Sequence, residues 1–236
     1  SADITGPRTE LGLSPEELNY VGSVLNFKSP KEVHAIQDAH LAADRNKIPI
    51  VFMMDVIHGY RTIFPIPLGL GCSFNEALVA DCTRMASKEA AAGGVQVTFT
   101  PMVDYVRDAR WGRVMETCGE EPMLNGRMGA AQVKAFHGSS LADPDSLATC
   151  VKHYAANSQE LRRMTNDSVL DERTLREIYL PAFEMAVKEG GVKCLMTSYN
   201  KLNGVWAHYS YDLATTILRQ EWGFRGVILT DWWMQK

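Results

Sequence analysis

Gly226-Val227-Ile228-Leu229-Thr230-Asp231-Trp232-Trp233 is a short apolar run that ends in a carboxylate followed at once by two indoles. Val227 to Leu229 reads as continuous apolar rather than alternating, which suits a parallel strand covered on both faces. Asp231 then falls where that strand leaves the core. In a parallel α/β protein the carboxyl ends of the strands carry the chemistry. A plainer reading stands beside this one. Asp is a favoured helix N-cap, and the two tryptophans could belong to the core.

Similar runs recur toward the N-terminus. Residues 21–26, 49–54, 95–100, 147–151 and 192–197 are strand candidates, and helix signals alternate with them. Ser29 is placed to cap a first helix and Pro30 to open it. Further helices are predicted over 75–92, 120–136, 171–188 and 211–222, with Gly93-Gly94 and Gly190-Gly191 as stops. Six strands with five intervening helices read as repeated βαβ units and a parallel sheet. No G-x-G-x-x-G follows the first strand, which weakens a dinucleotide-binding reading. Long loops after the second, third and fourth strands suit a TIM-type (β/α)8 barrel. A closed barrel needs two more βα units, so the expected fold is an incomplete α/β barrel of about six units. Residues 1–236 are expected to form one partial domain.

The bulk numbers agree with a globular domain. At 236 residues, 46% hydrophobic and 22% charged, the chain can bury a sizeable core without a membrane span. With a net charge of -4 and no run of Lys and Arg, neither nucleic acid nor a membrane is an expected partner. Cys72, Cys82, Cys118, Cys150 and Cys194 are odd in number and dispersed, which argues against a disulfide framework and a zinc site. Those free cysteines and the lack of a visible signal peptide favour the cytoplasm, although a chain opening on Ser1 says little about a precursor.

Polar groups gather just after the predicted strands. Asp55 follows the second; Asp104, Arg107, Arg110 and Arg113 the third; Lys152 and His153 the fourth; Tyr199 and Asn200 the fifth; and Asp231 the sixth. In a parallel barrel all those ends face one way, so a shared site is expected. Bland readings remain for single residues. Arg113 could merely pair with Glu116 or Glu120, Met196 could be core, and His137 reads as structural. Lys152 could be a Schiff-base lysine if it were desolvated. No H-x-H or H-E-x-x-H spacing supports a metal, and no cofactor is expected.

The motifs are more specific than their positions. They are Met54-Asp55-Val56-Ile57-His58-Gly59-Tyr60-Arg61-Thr62-Ile63-Phe64-Pro65, Arg110-Trp111-Gly112-Arg113 with Glu116, and Gly119-Glu120-Glu121-Pro122. Val151-Lys152-His153-Tyr154-Ala155-Ala156-Asn157, Met196-Thr197-Ser198-Tyr199-Asn200, Glu221-Trp222-Gly223-Phe224 and Thr230-Asp231-Trp232 follow. In this order the chain resembles the N-terminal barrel domain of glycoside hydrolase family 3, the β-glucosidase and β-xylosidase family. The resemblance implies hydrolysis of β-linked glucosides or related glycosides at the non-reducing end, by a retaining double displacement. It makes Asp231 the nucleophile. Asp55, Arg113, Lys152 and His153 would hold the hydroxyls of the first sugar. Met196 and Tyr199 would lie close to the nucleophile, and Trp232 would wall the leaving-group side. Glu160 and Arg163, in Gln159-Glu160-Leu161-Arg162-Arg163, match the Q-E-x-x-R element of the β-glucosidase branch and are further substrate-binding candidates. The family's histidine acid/base branch carries K-H-F-P-G-H-G, which this chain lacks. The acid/base Glu of the family usually comes from a second, C-terminal domain, so none is assigned here. The chain alone is expected to be inactive or nearly so. A non-catalytic sugar-binding fragment, or a subunit completed by another polypeptide, is the alternative.

Overall fold

The apolar runs become strands and the periodic stretches helices in the computed structural model, which describes Ser14 and residues 17–232. The order is β1 Ser23–Leu25, α1 Pro30–Ala43, β2 Val51–Met54, α2 Pro67–Gly71, α3 Glu76–Ala92, β3 Val97–Thr98 and α4 Pro122–His137. Then come β4 Ala148–Tyr154, β5 Asp167–Ser168, α5 Glu172–Thr174, a π-helical turn Leu175–Tyr179 and α6 Pro181–Lys188. β6 Cys194–Thr197, β7 Lys201–Leu202, β8 Val205–Trp206, the π-helical α7 Asp212–Glu221 and β9 Val227–Thr230 complete the chain. Side chains cap the starts of α1, α3 and α4, at Ser29 as the sequence predicts. Ser29 accepts from Glu32 N, and Asn75 accepts from Leu78 N. Glu121 accepts from the first two free amides of α4.

Six strands form one sheet in the order β1-β2-β3-β4-β6-β9, and every pairing is parallel. The order follows the sequence without reversal. A doubly wound sheet reverses at a switch point, whereas an arc of a (β/α)8 barrel does not. The chain is therefore α/β with an incomplete TIM-type barrel. Both faces of the arc are apolar, as parallel strands under helices require. Val151, Leu195 and Ile228 lie opposite one another in register and pack with Phe183, Ala186 and Leu218 of the helical layer. On the other face Leu25, Met53, Phe99, Cys150, Cys194, Met196 and Leu229 form their own cluster. Met196 is thus both a core residue and a neighbour of the strand that leads to Asp231, since it pairs with Leu229.

Four local expectations need correction. β4 continues to Tyr154, so Lys152 and His153 lie inside the strand rather than after it. Pairing carries on past Val151 because Lys152 N donates to Pro101 O and Val103 N donates to Lys152 O. The single helix predicted over 171–188 is broken by Pro181, which has no amide to give. The turn before it widens, and Leu180 N reaches back to Leu175 O. The short α2 and the small sheet β5-β7-β8 were not foreseen. In that sheet Asn203-Gly204 joins β7 to β8 with positive φ at both residues, 50° and 85°. Asn-Gly between paired strands is a strong hairpin signal, and it stood in the sequence. Among the described residues no helix is long and apolar enough to cross a membrane.

Candidate active site

The carboxyl ends of β2, β4 and β9 and the loop after β3 bring five of the predicted residues into one charged network. Asp55 follows β2 directly and is half exposed. Lys152, buried in β4, donates to Asp55 Oδ1 at 2.6 Å. The lysine is therefore already committed to a carboxylate, which weakens its reading as a Schiff-base nucleophile. The next residue, His153, points along a second line. Its Nε2 lies 3.7 Å from Asp231 Oδ2 and accepts from Arg113 Nη1 at 3.2 Å.

Arg113 is held from behind. Its Nε and Nη2 donate to Glu116 Oε1 and Oε2 at 2.7 and 2.8 Å, a bidentate pair. The expected bland partner of Arg113 is thus real, and it orients the guanidinium instead of withdrawing it from the site. Three N–H groups of Arg113 go to Glu116 and His153, and a guanidinium carries about five. Burial works against charge on Glu116, but the Arg113 fork prevails and holds the carboxyl below its ordinary value.

His153 rests on Asp104, which follows β3 in the loop over the site. The backbone amide of His153 donates to Asp104 Oδ2 at 2.9 Å, and Nδ1 shares a hydrogen bond with the same oxygen at 2.9 Å. The two side chains are almost fully buried. Burial pushes the Asp104 carboxyl up to about 8. Burial, then the positive charges of Arg113 and Lys152, hold the His153 imidazole down to about 3, so it is neutral across the physiological range. The sequence places Asp104 at a strand end without giving it a role. Its partner is 49 residues away, and no local spacing marks the pair. Glu116 was easier to read, three residues from Arg113.

Asp231 is buried at the end of β9, and its Oδ1 accepts from Trp232 N at 2.8 Å. It caps its own neighbour rather than a following helix within the described residues, while Oδ2 faces the His153 side. The Trp232 indole is partly exposed and meets Phe99 edge-on, with centroids 5.4 Å apart. Trp233 lies outside the described residues. A second cluster gathers the other candidates. Glu160 accepts from Trp111 Nε1 at 3.1 Å and from Arg163 Nη1 at 2.7 Å. The Arg163 guanidinium sits 4.8 Å from the centre of the Tyr199 ring. Tyr199 follows β6 and is buried. His137, by contrast, packs away from this end and shares a hydrogen bond with Thr149 Oγ1.

Known proteins carry the same arrangement of elements. A β-glucosidase from Listeria innocua, solved in complex with isofagomine, superposes with a TM-score of 0.91 at 43% identity. The match covers 97% of this chain and 32% of that one. A β-glucosidase of intestinal bacteria involved in saponin metabolism gives a TM-score of 0.85 at 34% identity, covering 94% of this chain and 30% of that one. In sequence, a periplasmic β-glucosidase of Salmonella typhimurium is 40% identical over 212 residues, which are 89% of this chain and 28% of that protein. A β-glucosidase of Rhizobium radiobacter is 39% identical over 203 residues, covering 81% of this chain and 24% of that protein. The chain thus spans roughly a quarter of the length of these curated relatives. The model of the glycosyl hydrolase family 3 N terminal domain matches residues 17–236. With strand order, strand-end chemistry and this match in agreement, the chain belongs to glycosyl hydrolase family 3, through its N-terminal domain.

Proposed function

We propose that this chain supplies the nucleophile and the sugar-holding face of a retaining β-glucosidase. The observation that carries the reading is the meeting of Asp55, Lys152, His153, Arg113 and Asp231 in one network at the strand ends. Relatives named as β-glucosidases support the substrate class. So does a neighbour solved with glucose.

Asp231 attacks the anomeric carbon through Oδ2 while Trp232 N–H steadies Oδ1. The new C–O bond forms as the bond to the leaving group breaks, and water later hydrolyses the glycosyl ester with retention. Asp55 accepts from sugar hydroxyls, with Lys152 holding one of its oxygens in place. The N–H groups of Arg113 left by Glu116 and His153 donate to the sugar. These contacts strengthen as the ring flattens and gains positive charge, which is where binding accelerates reaction. Trp232 walls the leaving-group side, and Glu160, Arg163 and Tyr199 flank the sugar. Retaining hydrolysis also needs a carboxylic acid about 5–5.5 Å from the nucleophile. We assign that role to no residue of this chain and place it in the remainder of a longer protein or in a partner chain.

The test is Asp231→Asn in the full-length protein. Turnover of an aryl β-glucoside should fall by about 10⁴-fold or more, the scale of losing a nucleophile. A variant that keeps a tenth of the activity refutes the assignment. A second measurement addresses the chain alone. Residues 1–236 should turn over an ordinary aryl β-glucoside negligibly, and a β-glucosyl fluoride, whose leaving group needs no acid, should be the better donor. Substantial aryl glucoside turnover abolished by Asp231→Asn would show that the acid lies within this chain.

A further inference from the structure

We propose that Asp104 is a positioning residue that locks His153 as the neutral tautomer with its proton on Nδ1. Asp104 Oδ2 accepts from the His153 amide and lies within hydrogen-bond distance of Nδ1, both at 2.9 Å. Asp104 Oδ1 makes no hydrogen bond among the described residues, so the side chain serves His153 alone. On the opposite edge of the ring Nε2 meets Arg113 Nη1 at 3.2 Å. A guanidinium only donates. Nε2 must therefore accept, and the ring proton belongs on Nδ1, against the carboxyl. The two contacts enforce one assignment from both sides of the imidazole.

The support extends further. Asn125 Nδ2 donates to Asp104 O at 3.2 Å, and Asn125 Oδ1 accepts from Cys118 N at 3.2 Å. The start of α4 thereby fixes the loop that carries Asp104. Arg113, Lys152, Glu116 and Asp231 are the charged groups around the ring. With Nε2 unprotonated, His153 gives Arg113 an acceptor and turns the guanidinium that Glu116 grips. Loss of Asp104 frees the ring to protonate Nε2, which would face Arg113 donor to donor and displace it. The effect on catalysis rests on the sugar-binding reading above, while the tautomer does not.

Two-bond ¹H–¹⁵N spectra of the protein, labelled at the histidine rings, read the tautomer directly, with His153→Gln identifying its signals. The expected pattern at neutral pH is a protonated Nδ1 and a bare Nε2. A protonated Nε2 in the unsubstituted protein overturns the proposal without any variant. In Asp104→Asn the amide oxygen can still accept both N–H groups, so the tautomer should persist; conversion to the Nε2-protonated form in this variant overturns the contact. Asp104→Ala should bring in the Nε2-protonated form, and an unchanged ring there overturns the positioning role. In the full-length protein Asp104→Ala should lower kcat/KM on an aryl β-glucoside by about 10- to 100-fold, and Asp104→Asn should recover most of it. Equal losses in the two variants reject the positioning role. A tautomer that behaves as expected with unchanged kinetics removes the sugar-binding reading instead.

Discussion

Asp104 and His153 pull stability in opposite directions as pH changes. The His153 imidazole is held down to about 3 from 6.5, so between those values the unfolded chain binds the extra proton and stability rises with pH. The Asp104 carboxyl is pushed up to about 8 from 3.8, so over that span the folded chain binds the extra proton and stability falls as pH rises. The two effects offset one another between about 4 and 6.5. Above that only Asp104 acts, and it removes about 2 kcal/mol by pH 8. Thermal unfolding followed from pH 6 upward should show this alkaline decline, and Asp104→Asn should flatten it. An equal slope in the variant would mean that other groups cause it. At this scale the sequence was informative where geometry is general. Strand ends of a parallel barrel converge, so Asp55, Lys152, His153 and Asp231 could be grouped before any contact was seen. Asp104 fell into the same group, but its role could not be read, because a contact between a loop and the following strand leaves no periodic trace.

Among the elements, helix α4 is pressed closely against α6. A Cβ on Gly126 would stand 3.0 Å from Ala182 Cα and 2.5 Å from Met185 Sδ. Gly126→Leu replaces a poor helix former with a good one, a gain of about 0.5–1 kcal/mol, so any net loss measures crowding in excess of that gain. It should cost about 1–3 kcal/mol, seen as a lower urea midpoint with an unchanged slope. A neutral or stabilising result would show that the helices can part at little cost. The first helix start was legible because Ser29 followed by Pro30 marks a cap, whereas Glu121 is not a favoured cap residue and its role in α4 shows only in the structure. The π-helical stretches were not legible. Their five-residue hydrogen bonds, such as Trp222 N to Ile217 O, keep the apolar pattern of an ordinary helix closely enough to pass for one. The Asn203-Gly204 turn was legible and overlooked, since its strands are only two residues each.

At the scale of the molecule, the sheet of the described residues is an open arc. Within the described residues β1 and β9 each pair with one strand, and Val227 on β9 is 58% exposed. An edge of that kind is a template for further pairing. Sedimentation velocity on residues 1–236 should reveal concentration-dependent association, and Val227→Lys should weaken it. A monodisperse monomer at every concentration, in both forms, would show that the edges are protected. The barrel class was legible in the alternation of runs and long loops, and the sequential strand order later separated it from a doubly wound sheet.

That strand order also sets a schedule. Each new strand of the six-stranded sheet joins the outer side of the sheet strand made before it, from β1 through β9. A nascent chain can therefore grow by accretion as it leaves the ribosome, with no earlier pairing undone to admit a later strand. Asp55 emerges first, the Asp104 to Arg113 loop next, then Lys152 and His153. Asp231 arrives last, onto partners already in position.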